Sequence, residues 1–281
     1  MNTMTAGGTS YSDRFRELIR SLTGISLPQS KVVMIEQRLR KRVLAFGLSD
    51  MEAYLGQLLE GQGMEEELRI VIDLITTNTT SFFRESDHFD FLVNEALPKR
   101  LAQAKGARKP RFKLWSAAAS EGAEAYTSAM VLAEAQRRGA MFDFAVLATD
   151  ISQRMLERGA EAVYGADQLS TVPPDLVKRY FMSSRHPSVA GKVRVVPELR
   201  RHVRFRHLNL MDETYPVDRD VDLIFLRNVL IYFDGPDQER VVARLASHVA
   251  PGGYLVVGHA ESMVVRMDGL KQVRPTIFQK V

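Results

Sequence analysis

Cysteine is absent from this chain. That excludes a disulfide framework, thiolate nucleophiles and cysteine-built zinc sites, and it suits a reducing compartment. Long apolar runs are missing as well. The most apolar window, residues 221–233, is broken by Arg227 and Asn228. It falls short of the about 20 residues that a membrane helix needs. The start of the chain lacks the basic stretch and apolar run of a signal peptide, so a cytoplasmic protein without direct membrane insertion is expected. Strong charge of one sign is lacking too, and a net charge of +4 on 281 residues does not call for nucleic acid. There is no internal repeat and no low-complexity segment. Charged and hydrophobic contents are those of an ordinary globular protein, long enough for two domains or one large one.

The most informative scarcity is local. Residues 112–126 read as a strand (Phe112, Leu114, Trp115), a turn of small residues, and a helix from Glu124 onward. Strand, turn and helix open a nucleotide-binding α/β unit. A dinucleotide site needs several glycines there, so that backbone amides can approach a pyrophosphate. Here there is only Gly122, flanked by Glu121 and Glu124. Two carboxylates repel a pyrophosphate and favour a cationic ligand, and S-adenosylmethionine carries both a sulfonium and an ammonium. The same acids would also serve as plain complements to the helix dipole.

The rest of the chain divides around this unit. Residues 1–10 are small and polar, and disorder is expected there. Ser12 can cap a first helix with Phe15, Leu18, Ile19 and Leu22 on one face, and Gly24 stops it. A second helix after Pro28 carries Val32, Ile35, Leu39 and Val43. Ser49 to Glu52 form a capping-box pattern for a third helix, and a fourth starts near Glu65. The second helix is basic, with Lys31, Arg38, Arg40, Lys41 and Arg42 against Glu36. Residues 1–87 hold ten basic and twelve acidic side chains, so this positive face is local. It is either a solvated face or a docking surface for an acidic partner.

Residues 76–85, Thr-Thr-Asn-Thr-Thr-Ser-Phe-Phe-Arg-Glu, are poor helix material and read as a linker rich in polar groups. A helix over about 87–103 follows. Strands at 144–149, 221–226, 254–257 and 276–279, with a helix over 236–248, give a mostly parallel α/β sheet. Asp150, at the end of the second strand, sits where ribose hydroxyls are held in such folds, or else caps the helix after Ser152. Over 165–210 prolines and glycines punctuate two β-like runs, 193–196 and 203–206, which predict a small antiparallel insertion. The basic edge of 203–206 either guards against strand pairing or binds a peptide.

Several stretches taken together resemble the chemotaxis receptor methyltransferases, the CheR family, which methylate glutamate side chains on chemoreceptors. They are Thr76-Thr77-Asn78 with Phe82-Phe83-Arg84-Glu85, Trp115 to Ser120 with Gly122, Glu124 and Tyr126, then Asp150, Asn209-Leu210, residues 227–233 and residues 258–262. Their joint order covers nearly the whole chain.

The resemblance implies a helical N-terminal domain over 11–75, a linker with connecting helix over 76–103, and a methyltransferase domain over 104–281. That domain is expected to be α/β and Rossmann-like, with the β-subdomain inserted at about 165–210. S-adenosylmethionine is the implied cofactor and S-adenosylhomocysteine its product. The implied cofactor contacts are Asn78, Thr80, Arg84, Glu124, Asp150, Asn209, Leu210, Arg227 and Asn228. The implied partner is a cytoplasmic methylation helix of a chemoreceptor, met in part by Arg38, Arg40 and Arg42. One departure stands out: the family's loop has two adjacent glutamates, and the first is Ala123 here.

A glutamate substrate has a reference pKa of about 4.3 and is ionised near neutral pH, so methyl transfer to it needs no general base. Positioning and exclusion of water should carry the reaction. Arg84 and Tyr232 are the expected catalytic residues: Arg84 orients the incoming carboxylate, and Tyr232 either donates a hydrogen bond to it or lines the methyl pocket, unless it is a packed core tyrosine. No metal-ligand set is assigned, and His259, the one of six histidines in a matched motif, reads as structural. Two other functions remain: a cofactor-binding scaffold without transfer, prompted by Ala123, and a nucleic-acid methyltransferase, prompted by the basic helix.

Overall fold

A computed structural model describes residues 10–104, 109–183, 186 and 190–281. The disorder expected for residues 1–10 therefore concerns, apart from Ser10, positions outside the described residues. The chain forms two compact units: residues up to 77 together with 232–234, and residues 78–231 with 235–281.

The first unit is helical. Helices α1 (Tyr11–Thr23), α2 (Val32–Ala45), α3 (Met51–Glu60) and α4 (Glu65–Ile75) bury the apolar stripes that the sequence spaces at helical intervals. Phe15, Ile19, Ile35, Leu39, Leu55, Leu58, Val71 and Ile75 meet in one core. Caps differ from expectation by one or two residues. Ser10, not Ser12, accepts the Asp13 N–H at the start of α1, and Asp50, not Ser49, accepts the Ala53 N–H at the start of α3. In both cases the side chain lying three residues before an unpaired N–H takes the role. Gly24 closes α1 in the left-handed conformation.

Two of the basic residues of α2 are committed inside this unit. The Arg38 guanidinium donates to the carbonyls of Leu74, Ile75 and Thr76 at 3.3, 2.9 and 3.0 Å, and so closes the C-terminus of α4. Arg42 forks onto Glu67, with Nε 2.9 Å from Oε1 and Nη2 bonded to Oε2, and the Tyr54 hydroxyl donates to the same carboxylate. Burial opposes ionisation of Glu67, but the bonds from Arg42 and Tyr54 outweigh it and hold its pKa below the usual value. The burial that shields this cluster, together with the carboxylate, pushes the Tyr54 hydroxyl up.

The second unit begins with the linker. It continues through α5 (Asp87–Phe91), one π-helical turn over 92–96 and α6 (Leu97–Gln103), which together form one run of helix. Pro98, which has no N–H for the Asn94 carbonyl, follows the π turn at once. The sheet elements then alternate: β1 (Arg111–Ala117), α7 (Ala123–Arg137), β2 (Asp143–Asp150), α8 (Gln153–Glu161), β3 (Val163–Gly165), α9 (Pro174–Tyr180), β4 (Phe181–Ser183), β5 (Lys192–Val195), α10 (Pro197–Arg200), β6 (Val203–His207), β7 (Val221–Leu226), α11 (Gly235–His248), β8 (Val249–Val257), β9 (Leu270–Arg274) and β10 (Ile277–Lys280).

The main sheet has seven strands in the order β6-β2-β1-β7-β8-β10-β9. The five from β6 to β8 are parallel, and β10 returns antiparallel between β8 and β9. Strand β7 is buried at every position between two neighbours, and its one acid, Asp222, accepts the Lys113 N–H at 2.7 Å and pairs with Arg100. Trp115 is fully buried on β1, and its indole N–H finds the Thr149 hydroxyl of β2 at 2.9 Å.

The insertion is a separate antiparallel sheet, β3-β5-β4. Residues 203–206 do not belong to it. They lie in β6, which pairs parallel with β2 from Val146↔Val203 to Asp150↔His207 and forms an edge of the main sheet. Alternation of apolar and basic residues describes an edge strand of either sheet, so the pattern did not distinguish them. Phe82 ties the small sheet to the linker, meeting the rings of Tyr164 and Phe181 edge-on at centroid distances of 4.9 and 5.5 Å.

Candidate active site

From β1 the chain steps outward to β2 and β6, then crosses back to place β7 on the other flank of β1. The strand order thus reverses beside β1, and the carboxyl ends of the strands open there as a crevice of the kind that holds ligands in α/β sheets. The residues singled out above collect at those ends. Ala118 to Gly122 follow β1, Asp150 ends β2, Asn209 and Leu210 follow β6, Arg227 and Asn228 follow β7, and residues 258–261 follow β8.

Asp150 is buried and fastens two turns. Its Oδ2 accepts the Ser120 N–H at 2.8 Å and its Oδ1 the Ser152 N–H at 2.9 Å. Its backbone carbonyl accepts the Leu208 N–H at 3.0 Å, which brings Asn209 and Leu210 to the same edge. Asn209 Oδ1 accepts the Met211 N–H at 3.0 Å, and the Leu210 carbonyl accepts the Tyr215 hydroxyl at 2.7 Å. The Ser120 hydroxyl reaches back to the Asn78 carbonyl at 2.9 Å, pinning the linker over the loop. Thr80 is half-buried in that linker.

Glu124, in the first turn of α7, accepts the Ser116 hydroxyl on Oε1 at 2.6 Å and Arg227 Nη1 on Oε2 at 2.7 Å. Arg227 is the hub. Its other amino group bonds the Arg84 carbonyl and Glu85 Oε2, the latter at 3.2 Å, and its guanidinium lies over the rings of Phe89 and Phe225. Asn228 Nδ2 donates to Glu85 Oε1 at 3.2 Å. Burial works against the Glu85 carboxylate, but the Arg227 charge and the bonds from Asn228 and Arg227 win and hold its pKa below the ordinary range. Arg84 itself points its Nη1 to the Thr79 carbonyl at 3.3 Å and is half-buried.

Five non-glycine residues around the crevice, Phe83, Glu85, Ala118, Ser120 and Asn228, have positive φ between 50° and 65°. Such a conformation costs about 1–2 kcal/mol at an ordinary residue, and its clustering marks a backbone shaped for something other than stability. Gly122 has φ +88°, and a Cβ there would come within 2.7 Å of the Phe205 ring. Ala123, where the family pattern has a glutamate, is buried at the first position of α7.

The donor set fits S-adenosylmethionine. A carboxylate has about four lone-pair sites, so Glu124 can take an ammonium besides its present partners, and acids at both flanks of the turn disfavour phosphate. Two residues that no pattern assigned a role are central to this geometry. Glu85 bridges Arg227 and Asn228. Glu261 is buried and accepts the N–H groups of Asn228, Leu230 and Gly258 at 2.8, 2.7 and 2.7 Å. Both lie in motifs quoted for the family, but nothing in the spacing says that an acid will face inward.

The helical unit takes Tyr232 with it. There the Tyr232 carbonyl accepts the Ser26 N–H at 3.0 Å, Lys31 lies over its ring, and Asp234 pairs with Arg20. Of the three arginines expected to meet a partner, Arg38 and Arg42 have the internal roles described above, while Arg40 is exposed on α2.

Comparison with known proteins decides the family. Residues 78–278 match the CheR methyltransferase, SAM binding domain, and residues 12–76 match the CheR methyltransferase, all-alpha domain. The chain belongs to the CheR methyltransferase family. It is 36% identical over 265 residues to chemotaxis protein methyltransferase 2 of Pseudomonas aeruginosa, covering 94% of this chain and 90% of that one. It is 38% identical to the chemotaxis protein methyltransferase of Salmonella typhimurium over 249 residues, covering 89% of this chain and 82% of that one. Like other CheR methyltransferases it carries an S-adenosylmethionine-binding domain. Among the described residues no helix is long and apolar enough to cross a membrane.

Proposed function

We propose that this CheR-family chain transfers the methyl group of S-adenosylmethionine to glutamate side-chain carboxylates on the cytoplasmic methylation helices of chemoreceptors. The observation that carries the reading is the gathering of acids and amides at the carboxyl ends of β1, β2, β6 and β7 beside the strand-order reversal. When bound, the cofactor supplies a methyl carbon on a cationic sulfur, open to a carboxylate oxygen as the carbon–sulfur electron pair leaves on sulfur. In this reading Glu124 holds the methionine ammonium, and Arg227 aims that carboxylate. Asp150 accepts from the ribose hydroxyls. Asn209, Leu210, Asn78, Thr80 and Asn228 line the remaining cofactor contacts. Arg84 orients the substrate carboxylate. No proton has to move, because the attacking group is already an anion.

The test is transfer of radiolabelled methyl to a receptor cytoplasmic fragment, with calorimetric titration of the cofactor alongside. Label that is released by mild base, as a methyl ester is, supports the reading. Asp150→Ala should weaken cofactor binding by about 1.5–3 kcal/mol, roughly ten- to a hundredfold, the range for hydrogen bonds to a charged group. Cofactor binding without labelling would make the chain a scaffold, and label entering RNA or DNA would make it a nucleic-acid methyltransferase.

A further inference from the structure

Beside Arg227, three side chains that the mechanism does not use for transfer converge. Glu85 comes from the linker, His88 from α5 and His259 from the turn after β8. One ligand atom of each lies within 4.8 Å of the others. His88 is 0% exposed. Its Nε2 lies 2.7 Å from the Thr276 hydroxyl. Its Nδ1 has no hydrogen-bond partner and faces Glu85 Oε2 at 3.5 Å.

A neutral imidazole has one N–H. With that proton on Nε2 toward Thr276, Nδ1 turns a bare lone pair toward a carboxylate oxygen. Two acceptors facing each other in a dry place are unfavourable, and a cation between them resolves the conflict. The His259 ring stands edge-on to that of His88 at a centroid distance of 5.3 Å and is exposed at the mouth, where Asp87 Oδ2 lies 3.3 Å from its Nε2. Two imidazoles and one carboxylate with an open side match the three protein ligands plus solvent of an accessible zinc site. Calcium and magnesium prefer oxygen ligands and are poorly served here.

We propose that Glu85, His88 and His259 form a binding site for Zn2+ and similar transition-metal ions, and that occupancy draws Glu85 from Arg227 and Asn228 and weakens cofactor binding. The metal would therefore act as a reversible inhibitor, reaching the cofactor site through the residue that braces it.

The test uses the full chain, tag-free and stripped by a chelator, titrated with Co2+ and then Zn2+. Expected is an intense visible absorption of low-coordinate Co2+ that saturates at one ion per chain and is displaced by Zn2+. Affinity for S-adenosylhomocysteine should fall severalfold in the Zn2+-loaded protein. His259→Ala, at an exposed position, should keep the melting temperature and the metal-free affinity while losing both the absorption and the Zn2+ effect. Absence of the one-to-one absorption in the wild type, or its persistence in His259→Ala, overturns the site. Unchanged affinity at full Zn2+ occupancy overturns the coupling. The Co2+ signal requires neither cofactor nor receptor, so failure here and failure of the methyl-transfer reading are separate results.

Discussion

A single missing methyl group shapes the loop that follows β1. Gly122 sits at φ +88° with the Phe205 ring of β6 across from it, and Gly159 of α8 leaves room for the same ring, since a Cβ there would meet it at 2.3 Å. Gly122→Ala should therefore destabilise the chain twice over, through backbone strain and through overpacking. Overpacking alone is of the order of 1–3 kcal/mol. A fall in melting temperature with weaker cofactor binding is the expected outcome, and adding Phe205→Leu should recover part of the stability but not the strain. If Gly122→Ala melts with the wild type, the close approach is not real. At the same scale, the sequence did show that one glycine mattered, because a turn with a single glycine between two acids stands out. It did not show that the glycine answers to an aromatic ring more than eighty residues away, since no local pattern encodes that contact.

Among elements, the turn after β7 depends most on one side chain. Glu261 accepts three backbone N–H groups from two segments, the turn after β7 and the turn after β8. Glu261→Ala would leave those groups without their partner, at about 1–3 kcal/mol for each one that stays buried. It should also weaken cofactor binding by freeing Asn228, which calorimetry with S-adenosylhomocysteine would read. A variant that unfolds at the wild-type denaturant concentration and binds normally would remove Glu261 from this role.

The helical unit carries an acid-sensitive counterpart. The pKa of Glu67 is lowered in the folded chain, so its contribution to stability is complete above the unfolded carboxylate value of about 4.3 and is lost as pH falls through the lower folded value. Glu261 has the opposite sign: burial outweighs its backbone bonds and raises its pKa, so it costs stability as pH rises. Denaturation of the full chain from pH 7 down to about pH 3 should show the stability gap between wild type and Glu67→Gln closing toward the acid end, and a constant gap would refute the pairing.

Element by element, legibility followed how much a pattern leaves undecided. A run such as Val221 to Leu226, apolar but for Asp222 and bounded by polar residues, has few readings, and β7 occupies those residues. The three-residue strands β3 and β4 carry too little pattern to be seen. Residues 203–206 were visible as a strand but not assignable to a sheet. Likewise, the charges of α2 were visible, but a guanidinium that closes a neighbouring helix reads the same in sequence as one that waits in solvent.

For the molecule as a whole, that distinction changes what charge reversal on α2 should do. Arg38→Glu and Arg42→Glu should lower the melting temperature, because the first strips the α4 carbonyls of a donor and the second sets like charges against Glu67. Arg40→Glu with Lys41→Glu touches exposed positions. It should leave melting and cofactor affinity unchanged while slowing methyl transfer to a receptor fragment, most clearly at low ionic strength. Undiminished transfer at low salt would place the receptor contact elsewhere.

The order of strands also sets a timetable for the nascent polypeptide. Strand β1 leaves the ribosome before β7, which flanks it and begins at Val221, and before β10, which joins β8 to the edge strand β9 and ends at Lys280. A growing chain that stops before β7 holds three adjacent parallel strands with one side of the middle of the sheet open to solvent, the exposed apolar edge that invites misassembly. Strand β10 must be made before this sheet can close, so truncations that remove β10 should yield aggregates instead of a smaller folded domain.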